Sequence, residues 1–279
     1  MKYIIAPVII AMLLIACNTT STKENSTGIS PADSLLNKIE NKPSFPAIAD
    51  SSKLVILKRD GKQVNYQAYI QSFAAEDLMG STNAFEIRDI DQDGNAELIS
   101  SHYTGGAHCC DVNTILSRTG EAVMTEVLDY TGGTSISKDT VTISFYEALG
   151  YFHTCYACGV DYPKDAGPDA SFIFKKGSFS FLPYSQKTDE DCETNIKAIV
   201  SKGIPDKDSD EESGHDNGTR KMIAFNLVAY YFNNQRDLAK TKSLFDKYYT
   251  HRDKDIIWKD LVKSISYFDE DIKKGIRLQ

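Results

Sequence analysis

The run Asp89-Ile90-Asp91-Gln92-Asp93-Gly94-Asn95-Ala96-Glu97-Leu98-Ile99 sets three aspartates at alternate positions, a glycine after the third, and a fourth carboxylate just before an apolar strand start. Calcium takes roughly six to eight oxygens at about 2.3–2.6 Å, and a tight loop aims carboxylates from its first, third and fifth positions inward. Glycine at the sixth permits the turn that brings a backbone carbonyl at the seventh to bear. On this spacing Asp89, Asp91 and Asp93 supply side chains, Asn95 its carbonyl, and Glu97 the ninth-position carboxylate. Four carboxylates within nine residues, relieved only by Arg88, repel one another without a cation. The stretch points to calcium, held in a connection between two strands.

A helix-flanked EF-hand loop needs a bidentate Glu at its twelfth position. Here that position is Ser100, and Leu98-Ile99 leads into a β-prone run. The segment resembles instead the calcium loop of FG-GAP or VCBS-type repeats, the integrin-α kind, whose acidic loop joins two antiparallel strands. Glu97 stands where that family usually has Asp, so a longer side chain has to fold back toward the ion. A propeller repeats such a loop several times, and this chain has one, so the resemblance implies at most a propeller-like fragment.

Toward the start, Lys2 precedes an apolar stretch, Tyr3 to Ala16, shorter than the roughly 20 residues of a membrane span and suited to an export signal. It ends Leu14-Ile15-Ala16-Cys17, which resembles the lipobox of bacterial lipoproteins. That resemblance implies cleavage before Cys17 and attachment of several acyl chains, palmitate among them, to that cysteine, enough for stable membrane anchoring. Residues 18–50, rich in Ser, Thr, Asn, Lys and Pro, read as a flexible tether. The formal charge of −8, with no concentrated basic stripe, argues against nucleic acid. The expected location is the cell envelope, on a membrane held through lipid alone.

From residue 51 the pattern is β. Leu54 to Leu57, an Asp60-Gly61 turn and Val64 to Ile70 read as a hairpin, and Phe85 to Ile87 leads into the acidic loop. Leu98-Ile99, Thr114 to Leu116, Ala122 to Leu128, Thr140 to Tyr146 and Ser171 to Leu182 continue the series. Beyond Lys187, apolar residues recur at helical spacing over 189–202, 221–233, 238–249 and 255–274, with Asp237 and Asp255 as N-caps. The expectation is an α+β protein: an antiparallel β-rich domain at 51–186 (a sandwich, partial barrel or propeller-like fragment), then a small helical domain at 187–279.

Beyond Cys17, five cysteines remain: Cys109, Cys110, Cys155, Cys158 and Cys192. Export favours disulfides. Neighbours in a strand face opposite ways, so Cys109 and Cys110 are expected to have different partners, at least one of them Cys155 or Cys158. Cys192 reads as the odd thiol or as a link to the helical part. The run Ser101 to Asp111 resembles a Gly-Gly-Ala-His-Cys-Cys segment that follows an acidic loop in bacterial exported proteins without an agreed activity. The main functional expectation is a binding module for an envelope protein or glycan, stiffened by calcium. The alternatives are a hydrolase using His102 and His108 with nearby carboxylates, and an inhibitor or immunity-type protein. Neither an HExxH zinc motif, a GxSxG elbow nor a phosphate loop is present.

Overall fold

A computed structural model describes residues 53–75, 84–103, 111–120, 122–164, 167–206 and 217–279. The fold is α+β, with ten strands in two sheets among the described residues. The first sheet holds β1 (Val55–Leu57), β2 (Gln63–Asn65), β3 (Ala84–Arg88), β4 (Glu97–Tyr103), β5 (Asp111–Gly120) and β6 (Val123–Thr131), in the order β2-β1-β6-β5-β4-β3. Its pairs are antiparallel except β1 with β6, which run parallel. The second sheet is an antiparallel meander of β7 (Thr134–Ser137), β8 (Thr140–Ser144), β9 (Asp169–Lys175) and β10 (Ser178–Phe181). The helices are α1 (Tyr66–Ala75), α2 (Tyr146–Leu149), α3 (Gln186–Ser201), α4 (Thr219–Phe232), α5 (Leu238–Tyr248) and α6 (Lys254–Gly275).

Several local expectations are corrected. The hairpin mate of β1 ends at Asn65, and Tyr66 opens α1. Asn65 Oδ1 accepts from the Gln67 and Ala68 N–H groups at 2.9 and 3.2 Å, an N-cap arrangement. Tyr66, Tyr69 and Ile70 are then buried at helical spacing. The single strand expected at Ser171–Leu182 is two, because Lys176 (φ 50°) and Gly177 (φ 72°) turn the chain between β9 and β10. Asp237 caps α5 by accepting from the Lys240 N–H at 2.9 Å. Asp255 does not cap α6; the residue before that helix is Asp253, whose carboxylate serves other partners.

Alternation along the strands gives the first sheet two apolar faces. On one, Leu54, Ile56, Leu98, Leu116 and Met124 pack with Tyr66, Tyr69 and Ile70 of α1. On the other, Ile115 and Val127 join Phe172, Phe174 and Phe179 of the second sheet and Ile196, Leu227, Phe232, Leu261 and Phe268 of the helices. One core therefore continues from the strands into the helices, across position 186. Each large apolar side chain buried in it contributes about 1.5–3 kcal/mol. The tail after α6 joins the two sheets directly: Arg277 N–H donates to Val127 O at 2.8 Å, and Phe179 N–H donates to Arg277 O at 2.9 Å.

Helix α4 is buried nearly all round, Arg220 and Lys221 included. Gly218 precedes it at φ 90°, and a Cβ there would lie 2.5 Å from the Gly159 backbone, so only glycine lets the helix start approach that segment. Lys221 Nζ donates to Cys155 O and Tyr156 O at 3.1 and 2.7 Å. Arg220 Nε donates to Asp253 Oδ2 at 2.8 Å, and Tyr249 Oη and His251 Nδ1 meet Asp253 Oδ1 at 2.7 and 2.8 Å. Burial pushes the Asp253 carboxyl up, but the bonds from Tyr249, His251 and Arg220 outweigh it and hold it down at about 2. A carboxylate depressed in this way stabilises the fold above its unfolded range, and that stability, about 2 kcal/mol, disappears as pH falls from 4 toward 2. Asp253→Asn should cost about 3 kcal/mol at pH 7, because it strands the Arg220 charge. Chemical denaturation of the two proteins at pH 7 and at pH 2–3 should show the gap closing with acid; a constant gap would contradict the assignment.

Candidate metal centre

Strands β3 and β4 pair antiparallel as far as Arg88 with Glu97, and residues 89–96 close the hairpin. Ile90, 2% exposed, roots the loop in the larger core. Gln92 (φ 58°) and Gly94 (φ 91°) supply the left-handed turns, the second as the glycine position leads one to expect. Asp89 accepts the Asp93 N–H through Oδ1 at 3.1 Å and the Gly94 N–H through Oδ2 at 2.9 Å. Asp91 Oδ1 accepts from the Asp93 N–H at 3.3 Å, and its Oδ2 accepts from the Lys176 N–H in the β9–β10 turn. The acidic hairpin is thereby docked on the second sheet.

Asp89, Asp91 and Glu97 each offer an oxygen, and the three lie within 4.8 Å of one another. Oxygens on a shared cation at about 2.3–2.6 Å are separated by no more than about 5 Å, so this group fits calcium in spacing and in hardness. Asp93 is oriented differently: its Oδ1 accepts from Asn95 N and Nδ2 at 2.8 and 3.1 Å. Asp93 is exposed and its carboxylate stands outside the convergent trio; Asn95 is exposed too.

Glu97 is 2% exposed. Its Oε2 accepts the Ile90 N–H at 3.0 Å and its Oε1 accepts the Ser117 hydroxyl at 3.2 Å. The side chain folds back over the loop, as a Glu in place of Asp requires. Burial, with the Asp91 and Asp93 charges adding, pushes its carboxyl up to about 7 against the lowering effect of those two donors. A carboxylate in that setting is stabilised by a cation far more than by two neutral donors.

The other expected site residues are not gathered here. His102 follows Leu98 and Ser100 on the strand face toward α1, whereas Glu97 points to the opposite face. Five residues also separate them, about 17 Å along a strand. Cys155 and Cys158 form a disulfide with each other, so the expected pairing of either with Cys109 or Cys110 is corrected. The turn between them is short enough for the two cysteines, Cα atoms 5.2 Å apart, to bridge locally. Cys192 is free and buried, its thiol donating to Asn226 O at 3.3 Å, and burial pushes that thiol up. Cys17, His108, Cys109 and Cys110 lie outside the described residues. Sequence reasoning missed Ser117 and the Lys176 N–H, both distant in sequence from the loop they serve.

No family model matches the chain, and no curated protein or solved structure matches it. Among the described residues no helix is long and apolar enough to cross a membrane.

Glu97→Gln separates a cation site from an acidic turn. In chelator at pH 8 the amide removes a buried charge while still accepting from Ile90 N–H, and stability should rise by about 1 kcal/mol. In millimolar calcium the same change should lower it. Thermal melts that shift in the same direction under both conditions would exclude Glu97 as a ligand.

Proposed function

We propose that this chain is a lipoprotein of the cell envelope, acylated at Cys17, in which the β3–β4 loop holds calcium as a structural ion and the β-rich part serves to bind an envelope protein or glycan. The observation that carries the reading is the convergence of Asp89, Asp91 and buried Glu97 on one point. Calcium would draw those oxygens together and stiffen the hairpin against the β9–β10 turn, to which Asp91 is already bonded. From the loop, β4 runs straight to residues 104–110, the Thr-Gly-Gly-Ala-His-Cys-Cys stretch. In this reading that stretch, which lies outside the described residues, carries the recognition.

The separation of His102 from the acidic trio favours binding over hydrolysis, since general acid–base work needs the groups within hydrogen-bond reach of one substrate. The lipobox-like end of the apolar start and the polar tether support anchoring. The FG-GAP-like likeness supports calcium as the ion. In this reading the ion acts on shape alone: it neutralises the loop and takes no part in bond making.

Two experiments test the two halves of this reading. Melting in millimolar calcium should exceed melting in chelator by several degrees, and Asp91→Ala should abolish the difference; equal melting of the unaltered protein would end the structural-ion reading. Cys17→Ala should move the protein expressed in a bacterial envelope from the detergent-extracted membrane fraction to the soluble one. Retention on the membrane would show that something other than this cysteine anchors it.

A further inference from the structure

A groove of about 540 Å³ lies where the β1–β2 turn meets the end of α6 and the tail that follows it. That volume is in the range of small-molecule sites, roughly 300–1,000 Å³. Leu57, Ile276 and Leu278 provide apolar wall, and Lys58, Arg59, Lys273 and Arg277 provide four cations against one carboxylate, Glu126. Glu126 is 3% exposed and already committed: Lys58 Nζ pairs with its Oε2, and the Arg59 N–H donates to its Oε1 at 3.2 Å. Positive charge is thus concentrated in one concavity of a chain whose formal charge is −8.

The arrangement is also fixed in place. Arg59 Nε donates to Lys274 O at 2.7 Å and its Nη2 to Lys273 O at 3.0 Å. These are last-turn carbonyls of α6, so the guanidinium cancels the negative end of the helix dipole that would otherwise repel an anion. Burial, together with the Arg277 charge, holds the Arg59 guanidinium below its usual range, although Glu126 and Asp129 oppose that. Lys273 and Arg277 are exposed, and no described carboxylate lies within ion-pair distance of either. Two unpaired cations beside a preset guanidinium, on an apolar wall, describe a recognition surface for a group with strong negative charge and an attached hydrocarbon.

We propose that this groove binds a phosphate ester with an apolar body, the phosphate meeting Arg277 and Lys273 at the rim and the hydrocarbon lying on Leu57, Ile276 and Leu278. Such a phosphate has two sources, a soluble ester or the headgroup of an anionic phospholipid. The site does not depend on the calcium reading. Leu57, Thr125, Ser117 and Glu97 follow one another across the sheet, so the two places are three strand spacings apart, roughly 14 Å.

The test uses hexyl phosphate, inorganic phosphate, and phosphatidylcholine vesicles with and without phosphatidylglycerol, on the unacylated chain from residue 18 onward, which has no lipid of its own to enter a vesicle, in chelator and again in calcium. Hexyl phosphate should saturate, at least tenfold more tightly than inorganic phosphate and alike in both buffers. The double variant Lys273→Glu/Arg277→Glu should weaken it at least tenfold without changing the melting temperature; Arg277→Gln alone should weaken it in the same direction and guards against a folding defect in the double variant. If vesicle sedimentation also requires phosphatidylglycerol and is lost in both variants, the source is a lipid headgroup; if only hexyl phosphate binds, it is a soluble ester. Non-saturating titrations, equal binding by the variants, equal affinity for inorganic phosphate, or sedimentation on phosphatidylglycerol without hexyl phosphate binding would each overturn the proposal.

Discussion

Glu97 is the constraint around which this end of the molecule is arranged. It is a carboxylate at 2% exposure whose described partners are one backbone N–H and one hydroxyl. Two neutral donors do not offset the loss of water around a full negative charge, and the rise of its carboxyl to about 7 expresses that deficit. The strand cannot simply expel it. Leu98 is 1% exposed on the opposite face, and slipping β4 by one residue would exchange the two faces of the whole strand. The acidic trio is therefore imposed by register as much as by the loop.

Much of this was legible in the sequence because it is local. The spacing of Asp89, Asp91, Asp93 and Gly94 encodes its own turn, and Gly94 takes the positive φ that the sixth position demands. The last four helices announce themselves through apolar periodicity, three laying one face on a shared core and α4 buried in it nearly all round, and Asp237 acts as the cap its position implies. The α+β class follows from the same two periodicities. What the spacing did not reveal is which carboxylates converge. Asp93 sits at a ligand position, yet it closes a small ring with Asn95 instead.

Most of the failures share a cause: a short-range signal was outweighed by a partner the sequence does not place nearby. Val64 to Ile70 reads as a strand until Asn65 is recognised as a cap and Tyr66, Tyr69 and Ile70 as one helical stripe facing Leu98 and Leu116. Cys155 and Cys158 go the other way: the expected partner is distant and the local one is taken, in a turn whose Cys155 and Tyr156 carbonyls accept from Lys221 Nζ. Asp255 reads as the cap of α6, but the helix already begins at Lys254, and the preceding Asp253 gives its carboxylate to Arg220, a buried charge whose need for a counter-ion exceeds the value of a cap, typically about 1 kcal/mol. The parallel pairing of β1 with β6 is likewise a tertiary outcome, and no turn residue encodes it.

One irregularity joins the acidic loop to the far edge of the sheet. Between β5 and β6 the register shifts: Ile115 faces Leu128, but Leu116 faces Glu126, so Val127 is an extra residue in β6. Without that bulge Glu126 would stand opposite Ser117, the residue whose hydroxyl serves Glu97. Two buried carboxylates would then share one face of the sheet with one hydroxyl between them. The extra residue turns Glu126 to the other face, where Lys58 and the Arg59 N–H meet it. Val127, freed from the ladder, gives its carbonyl to the Arg277 N–H, which fixes the tail that walls the cationic groove. A single inserted position thus keeps the two carboxylates apart, leaves Glu97 to the loop, and places the tail.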